Sequence, residues 1–315
     1  MNLIMVWNIE QFKGVFVAMY SAYDEAGEVS EKRVAELAQY YVGSGIKGLY
    51  VGGSSGEGIL QTVAERKKVL EAVVKAVGDQ LTIIAHVGAN STKESVELAQ
   101  HAEKCGVAAI SSVPSIYYQL PEESVESHWQ AMINATSLPF IIYHIPQTTG
   151  FDLSPTLYRK MVVQEKVIGI KMSAESVYEL QQLKANAGKE FLVFNGPDEQ
   201  FLGGRIMGAD GGIGGTYGIM PELYCELDKC FIAGEIEKAQ FIQSNINRFI
   251  TRLLTFPSLY GACKAILSLR GIETGSPRLP LLSVKEENWS ELKALNLEIE
   301  ELIQVLTEKS DELGV

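Results

Sequence analysis

Apolar runs recur along the chain at regular intervals, separated by polar stretches with helical spacing. The runs are GVFVAMY from Gly14, GLYVGG from Gly48, TIIAHVG from Thr82 and AAISSVP from Ala108, followed by FIIYHIP from Phe140, VIGIKMS from Val167, FLVFNG from Phe191 and GGIGGTYG from Gly211. Most are apolar on every residue rather than on alternate ones, as parallel strands covered on both faces require. Between them lie amphipathic segments. Glu31–Ser44 puts Val34, Leu37, Ala38 and Tyr41 on one face, and Thr92–Gly106 puts Val96, Ala99 and Ala102 together, with Gly106 as its cap.

Eight strand-helix repeats predict an α/β fold, a (β/α)8 TIM barrel, with a doubly wound open sheet as the structural rival. About a hundred residues follow the eighth strand. Cys225–Phe256, Pro257–Arg270 and Glu286–Asp311 read as helices, more than barrel closure needs. The expectation is one catalytic domain over residues 1–315, with the barrel at about 12–235 and a C-terminal helical extension at about 236–315.

Composition narrows the function. The 315 residues are 46% hydrophobic and 21% charged, as in an ordinary globular protein. At this length roughly 75% of the unfolded chain's surface can be buried, so the core needs no staples. The net charge is −12 and no basic run occurs, which argues against nucleic acid. An anionic substrate then needs local attraction. Cys105, Cys225, Cys230 and Cys263 form no C-x-x-C pair and read as reduced thiols of a cytoplasmic protein. The start, MNLIMVWNIEQ, lacks a leader's basic region and cleavage site. No run reaches the roughly 18 apolar residues of a membrane span. His86, His101, His128 and His144 lack zinc-ligand spacing, so neither metal nor nucleotide cofactor is expected.

Chemistry in a barrel sits at the C-terminal ends of the strands. There the chain places GGSSGEG (Gly52–Gly58), Tyr117 and Tyr118, Tyr143 in YHIP, Lys171, and Asn195–Glu199 (NGPDE). A lysine ending an apolar strand either snorkels to water, pairing with Glu175 or Glu179, or supplies its amine to a ketone as an imine. Attack requires a neutral amine, with a pKa of about 7–8 in place of about 10.4. That shift corresponds to roughly 4 kcal/mol, within the reach of burial. GGSSGEG suits an anion at a helix N-terminus, helped by Ser54 and Ser55, and it lacks the P-loop pattern; Glu57 reads as structural. Tyr143 suits acid-base work. Asp198 and Glu199 either bind substrate hydroxyls or merely start a helix. Gly211–Gly218 leaves phosphate binding open as a rival.

The chain resembles the N-acetylneuraminate lyase and dihydrodipicolinate synthase family of class I aldolases. The matching motifs are G-[ST]-[ST]-G-E at Gly53–Glu57, Y-x-[IV]-P at Tyr143–Pro146 and G-[IV]-K at Gly169–Lys171, and the likeness covers nearly the whole chain. YVGGSSGEG, Asn195–Glu199 and Gly208–Gly214 look most like the sialic acid lyase branch.

The resemblance implies reversible cleavage of N-acetylneuraminate to N-acetylmannosamine and pyruvate. Lys171 would form the Schiff base, Ser54 and Ser55 would hold the carboxylate, and Tyr143 would take the C4 hydroxyl proton. Thr148, Ser173, Gly196, Asp198, Glu199 and Gly215 fall at substrate-binding positions. A neighbouring subunit's tyrosine, matched by Tyr117 with Tyr118 as fallback, would join Ser54 in a hydroxyl relay within a homotetramer. Ser55 and Ser173 stand where threonine is common, and Gly215 where many lyases carry serine. Synthases of the family carry arginine where this chain has Thr148. The alternatives are another pyruvate aldolase, such as one for 2-keto-3-deoxy sugar acids or a dihydrodipicolinate synthase, and a non-catalytic ligand sensor.

Overall fold

The computed structural model describes residues 7–312, with side chains through 306. The reading of the first residues as no leader therefore falls, through residue 6, outside the described residues. Strands β1 (Gly14–Ala18), β2 (Gly48–Val51), β3 (Thr82–His86), β4 (Ala109–Ser112), β5 (Phe140–His144), β6 (Val167–Met172), β7 (Leu192–Asn195) and β8 (Gly211–Gly214) match the eight apolar runs. All pair in parallel and in sequence order, and β1 pairs β8 from Gly14↔Gly211 to Val17↔Gly214, closing the barrel. The open-sheet rival is thereby excluded.

The helices are α1 (Glu31–Tyr40), α2 (Val63–Val77), α3 (Thr92–Cys105), α4 (Glu122–Ala135), α5 (Pro146–Thr149), α6 (Pro155–Val162), α7 (Val177–Ala185), α8 (Phe201–Ile206), α9 (Pro221–Ala233), α10 (Ile236–Leu253), α11 (Leu259–Leu269) and α12 (Trp289–Glu312). Their starts follow capping chemistry. Ser30, Ser91, Ser154 and Ser176 each accept a backbone N–H of the first turn, and Thr62 with Glu65 forms a reciprocal capping box. The single helix expected over Cys225–Phe256 is two helices. Gly234 takes a left-handed turn (φ 78°) and ends α9, and α10 resumes at Ile236. An apolar pattern that runs through a cap hid the break, because periodicity does not register one left-handed residue.

Two apolar layers follow from strand alternation. Phe16, Ala18, Tyr50, Ile84, Ile141, Phe194 and Ile213 fill the lumen, closed at one end by Phe12. Val15, Val17, Leu49, Ile110, Ile142 and Val193 face outward into the shell of helices. One irregularity bears on the site. The β5–β6 register slips between Phe140↔Val167 and Ile141↔Gly169, so β6 spends an extra residue at Ile168. Ile168 and Lys171 therefore both face inward, three positions apart instead of two or four. A bulge of this kind re-aims the side chains beyond it.

Candidate active site

Past the bulge, Lys171 on β6 pairs with Tyr143 on β5, and both side chains enter the lumen near its C-terminal mouth. Lys171 is 5% exposed and forms no ion pair among the described residues. It neither snorkels nor reaches Glu175 or Glu179. Its Nζ lies 4.1 Å from the Tyr143 ring centroid and 4.9 Å from that of Tyr50, held against two aromatic rings. Tyr50 and His86 each meet the Tyr143 ring edge-on at 5.9 Å between centroids, so the phenol is boxed in.

The Tyr143 hydroxyl lies 3.5 Å from Ser54 Oγ. Burial alone pushes this phenol up. The Lys171 charge and hydrogen bonding with Ser54, Lys171 and Ser173 outweigh that, and the group sits below its ordinary value. His86 is held neutral: burial, the Arg66 charge and Lys171 all push it well down. Its Nδ1 faces Gly52 O at 3.0 Å, and its Nε2 accepts the Val113 N–H at 3.3 Å, which sets the tautomer and pins the start of the Gly52–Gly58 turn.

Within that turn Ser55 is buried and Ser54 is open. Glu57 adopts a left-handed backbone (φ 57°) and is buried against Lys264, with Oε1 3.0 Å from Nζ, while Oε2 accepts the Arg278 N–H at 2.7 Å. Its role is structural, as the sequence indicated: it ties the turn to the chain after β8. Burial pushes the Lys264 amine down, against the pull of Glu57.

On the opposite rim Asp198 and Glu199 part company. Asp198 is buried, and its Oδ2 accepts both the Thr216 N–H and the Thr216 hydroxyl at 2.6 Å. Burial pushes its carboxyl up to about 6 despite those bonds. Glu199 is exposed. Ser173 and Gly196 touch: a Cβ on Gly196 would fall 2.0 Å from Ser173 Oγ. Thr148 lines a cavity of about 350 Å³ with Ser54, Ile59, Ile116, Ile145 and Tyr260. Lys171 and Tyr143 do not line it, but His86, which packs on the Tyr143 ring, does. Tyr117 stands apart from all of these, 89% exposed, with φ 85° and its ring T-stacked on Tyr118 at 5.2 Å.

Sequence reading missed three aromatic members of the site, Tyr50, His86 and Tyr260. Tyr50 lies inside an apolar run with nothing to mark which face it takes. Tyr260 sits in the second position of α11, where helical spacing gives no hint that the helix reaches the barrel mouth.

A buried, unpaired lysine beside an acidified phenol and a hydroxyl-bearing turn is equipped for imine formation and proton transfer on a keto acid. No group of three or more metal-ligating side chains occurs among the described residues. Known proteins match the chain over nearly its whole length. It is 46% identical to an N-acetylneuraminate lyase of Mediterraneibacter gnavus over 289 residues, 91% of this chain and 92% of that one. It is 36% identical to the N-acetylneuraminate lyase of Rhizobium meliloti over 90% of this chain and 94% of that one. The solved wild-type sialic acid aldolase of Ruminococcus gnavus superposes with a TM-score of 0.91 at 44% identity, covering 95% of this chain and 99% of that one. The family model for dihydrodipicolinate synthetases matches residues 11–298, and the chain belongs to that family.

Proposed function

We propose that this protein is a class I aldolase that reversibly cleaves N-acetylneuraminate to N-acetylmannosamine and pyruvate. The observation that carries the reading is the pairing of Lys171 with Tyr143, the lysine buried without a carboxylate partner and the phenol hydroxyl 3.5 Å from Ser54. The neutral Lys171 amine adds to the C2 ketone and expels water, giving an iminium. Tyr143 takes the C4 hydroxyl proton as the C3–C4 electrons flow into the iminium, and the aldehyde sugar departs. The remaining enamine is protonated at C3, and water releases pyruvate and the free lysine. A phenol below its ordinary pKa suits the role of base here.

Ser54, Ser55 and the backbone N–H groups of their turn receive the carboxylate in this reading. Thr148, Ser173, Gly196, Glu199 and Gly215 border the sugar, and Asp198 acts on it chiefly by fixing Thr216. The enzyme operates as one catalytic unit, since Tyr260 and Lys264 of α11 reach the barrel mouth. It takes no cofactor or metal. Its active form is a homotetramer, a dimer of dimers, in which Tyr117 of one copy reaches the Ser54 side of another. The exposed Tyr117–Tyr118 pair and the apolar cavity beside Ser54 support this. The free cysteines support a reducing, cytoplasmic location. No helix among the described residues is long and apolar enough to cross a membrane.

The test is pyruvate release from a panel of 2-keto acids. N-acetylneuraminate should be the best substrate. Preference for a 2-keto-3-deoxy sugar acid would move the assignment to another pyruvate aldolase, and no release from any of them would leave a ligand sensor.

A further inference from the structure

Ser55 and Gly215 lie on different strands' loops yet occupy one spot. A Cβ built on Gly215 would fall 2.6 Å from Ser55 Oγ and 3.7 Å from Tyr260 Cε1. The Gly215 carbonyl accepts from the Tyr20 hydroxyl at 2.5 Å, which holds the backbone of residue 215 in place. The Tyr260 side chain thus borders the same spot as the Ser55 hydroxyl, and burial pushes its phenol up, which keeps its proton in place. Tyr260 is itself fixed. It sits in the first turn of α11, and one turn later Lys264 anchors the same helix to Glu57, two residues beyond Ser55.

Serine carries no β-branch, so its hydroxyl swings among three staggered positions unless a neighbour selects one. We infer that Tyr260 is a positioning residue: its phenol donates to Ser55 Oγ and leaves the serine O–H aimed at the substrate carboxylate, in the space that Gly215 leaves open. The inference rests on the function proposed above, with pyruvate bound through Ser54 and Ser55. It gives the C-terminal helices a task at the carboxylate end of the substrate. Donor and acceptor capacities balance: the serine oxygen accepts once and donates once.

The experiment is borohydride trapping of pyruvate at varied pyruvate concentration, with maximal trapping rate and half-saturation read separately. Tyr260→Phe should raise half-saturation about 3- to 10-fold, as loss of one hydrogen bond does, and leave the maximal rate within about twofold. Ser55→Ala, which removes the carboxylate contact itself, should raise half-saturation at least as far, and Tyr260→Phe added to it should change nothing further, the signature of one shared interaction. Gly215→Ala, whose added Cβ falls 2.6 Å from Ser55 Oγ, should also raise half-saturation and keeps the test open if Tyr260→Phe folds poorly. Unchanged half-saturation in Tyr260→Phe, or additive effects in the double variant, would overturn the inference while normal trapping by the unmodified protein leaves the functional reading standing. An unmodified protein that traps no pyruvate overturns both.

Discussion

Lys171 and Tyr143 are cross-strand partners, and the lysine Nζ lies 4.1 Å from the phenol's ring centroid. Their pairing depends on the slip in register at Ile168, because without the extra residue β6 would bring Ile170, not Lys171, level with Tyr143. The nucleophile's aim is thus a property of backbone register rather than of the lysine itself.

Removing the phenol hydroxyl separates the two halves of the chemistry. Tyr143→Phe should still trap pyruvate, more slowly, because the ring that packs on Lys171 remains. Cleavage of N-acetylneuraminate should fall by about 10²-fold or more, the usual scale for losing a general base. Cleavage near the unmodified rate would place the base elsewhere.

Asp198 gives the reaction a pH signature. Its carboxyl is raised to about 6, by burial first of all. It is ionised above that pH and accepts two bonds from Thr216. Below it the group is neutral, and the two Thr216 bonds weaken because their acceptor has lost its charge. The KM for N-acetylneuraminate should rise as pH falls through about 6, and Asp198→Asn should flatten that step, while pyruvate trapping shows none of it. The stability sign is opposite. A folded-state pKa above the ordinary carboxylate value favours the fold most below about pH 4, and that contribution is lost as pH rises through about 6. Glu199→Ala should weaken cleavage and, by removing a charge that helps raise Asp198, move the pH step slightly downward without abolishing it. Identical profiles for Asp198→Asn and the unmodified enzyme would detach Asp198 from the sugar.

The Glu57–Lys264 pair is buried on both sides and should behave as such. Lys264→Met alone leaves Glu57 without its cation and should cost about 3–5 kcal/mol in urea denaturation, whereas Glu57→Gln with Lys264→Met should recover much of it. A loss below about 1 kcal/mol for Lys264→Met, the level of an exposed pair, would mean that water reaches the site.

Thr148 bears on substrate choice. Synthases of the family place an arginine there, whose planar fork suits a second carboxylate. With threonine at the cavity edge, condensation of pyruvate with aspartate semialdehyde should be negligible. Thr148→Arg should lower N-acetylneuraminate cleavage about 10-fold, as loss of one good contact does, and leave trapping intact. Efficient dihydrodipicolinate formation by the unmodified protein would reverse the assignment within the family.

The barrel was legible because its strands are buried on both faces and write themselves as unbroken apolar runs. Lys171 and Tyr143 were legible because each ends such a run in a polar or aromatic exception. Less visible was anything set by one residue's backbone. The left-handed Gly234 split a helix that periodicity joined, and the extra residue in β6 left no mark in composition. Asp198 and Glu199, adjacent in sequence, read as a pair, yet one is buried on Thr216 and the other exposed. Tyr260 is a different kind of omission: its place beside Ser55 depends on how α11 packs, a long-range contact without a local signal.

The most direct test of the account is where a substrate carbon becomes attached. The protein should be mixed with N-acetylneuraminate or pyruvate, reduced with borohydride, digested and mapped by mass spectrometry. The account predicts one reduced pyruvyl group per chain, on Lys171, absent from Lys171→Ala. An adduct on another lysine, or none from a protein that still releases pyruvate, would contradict it.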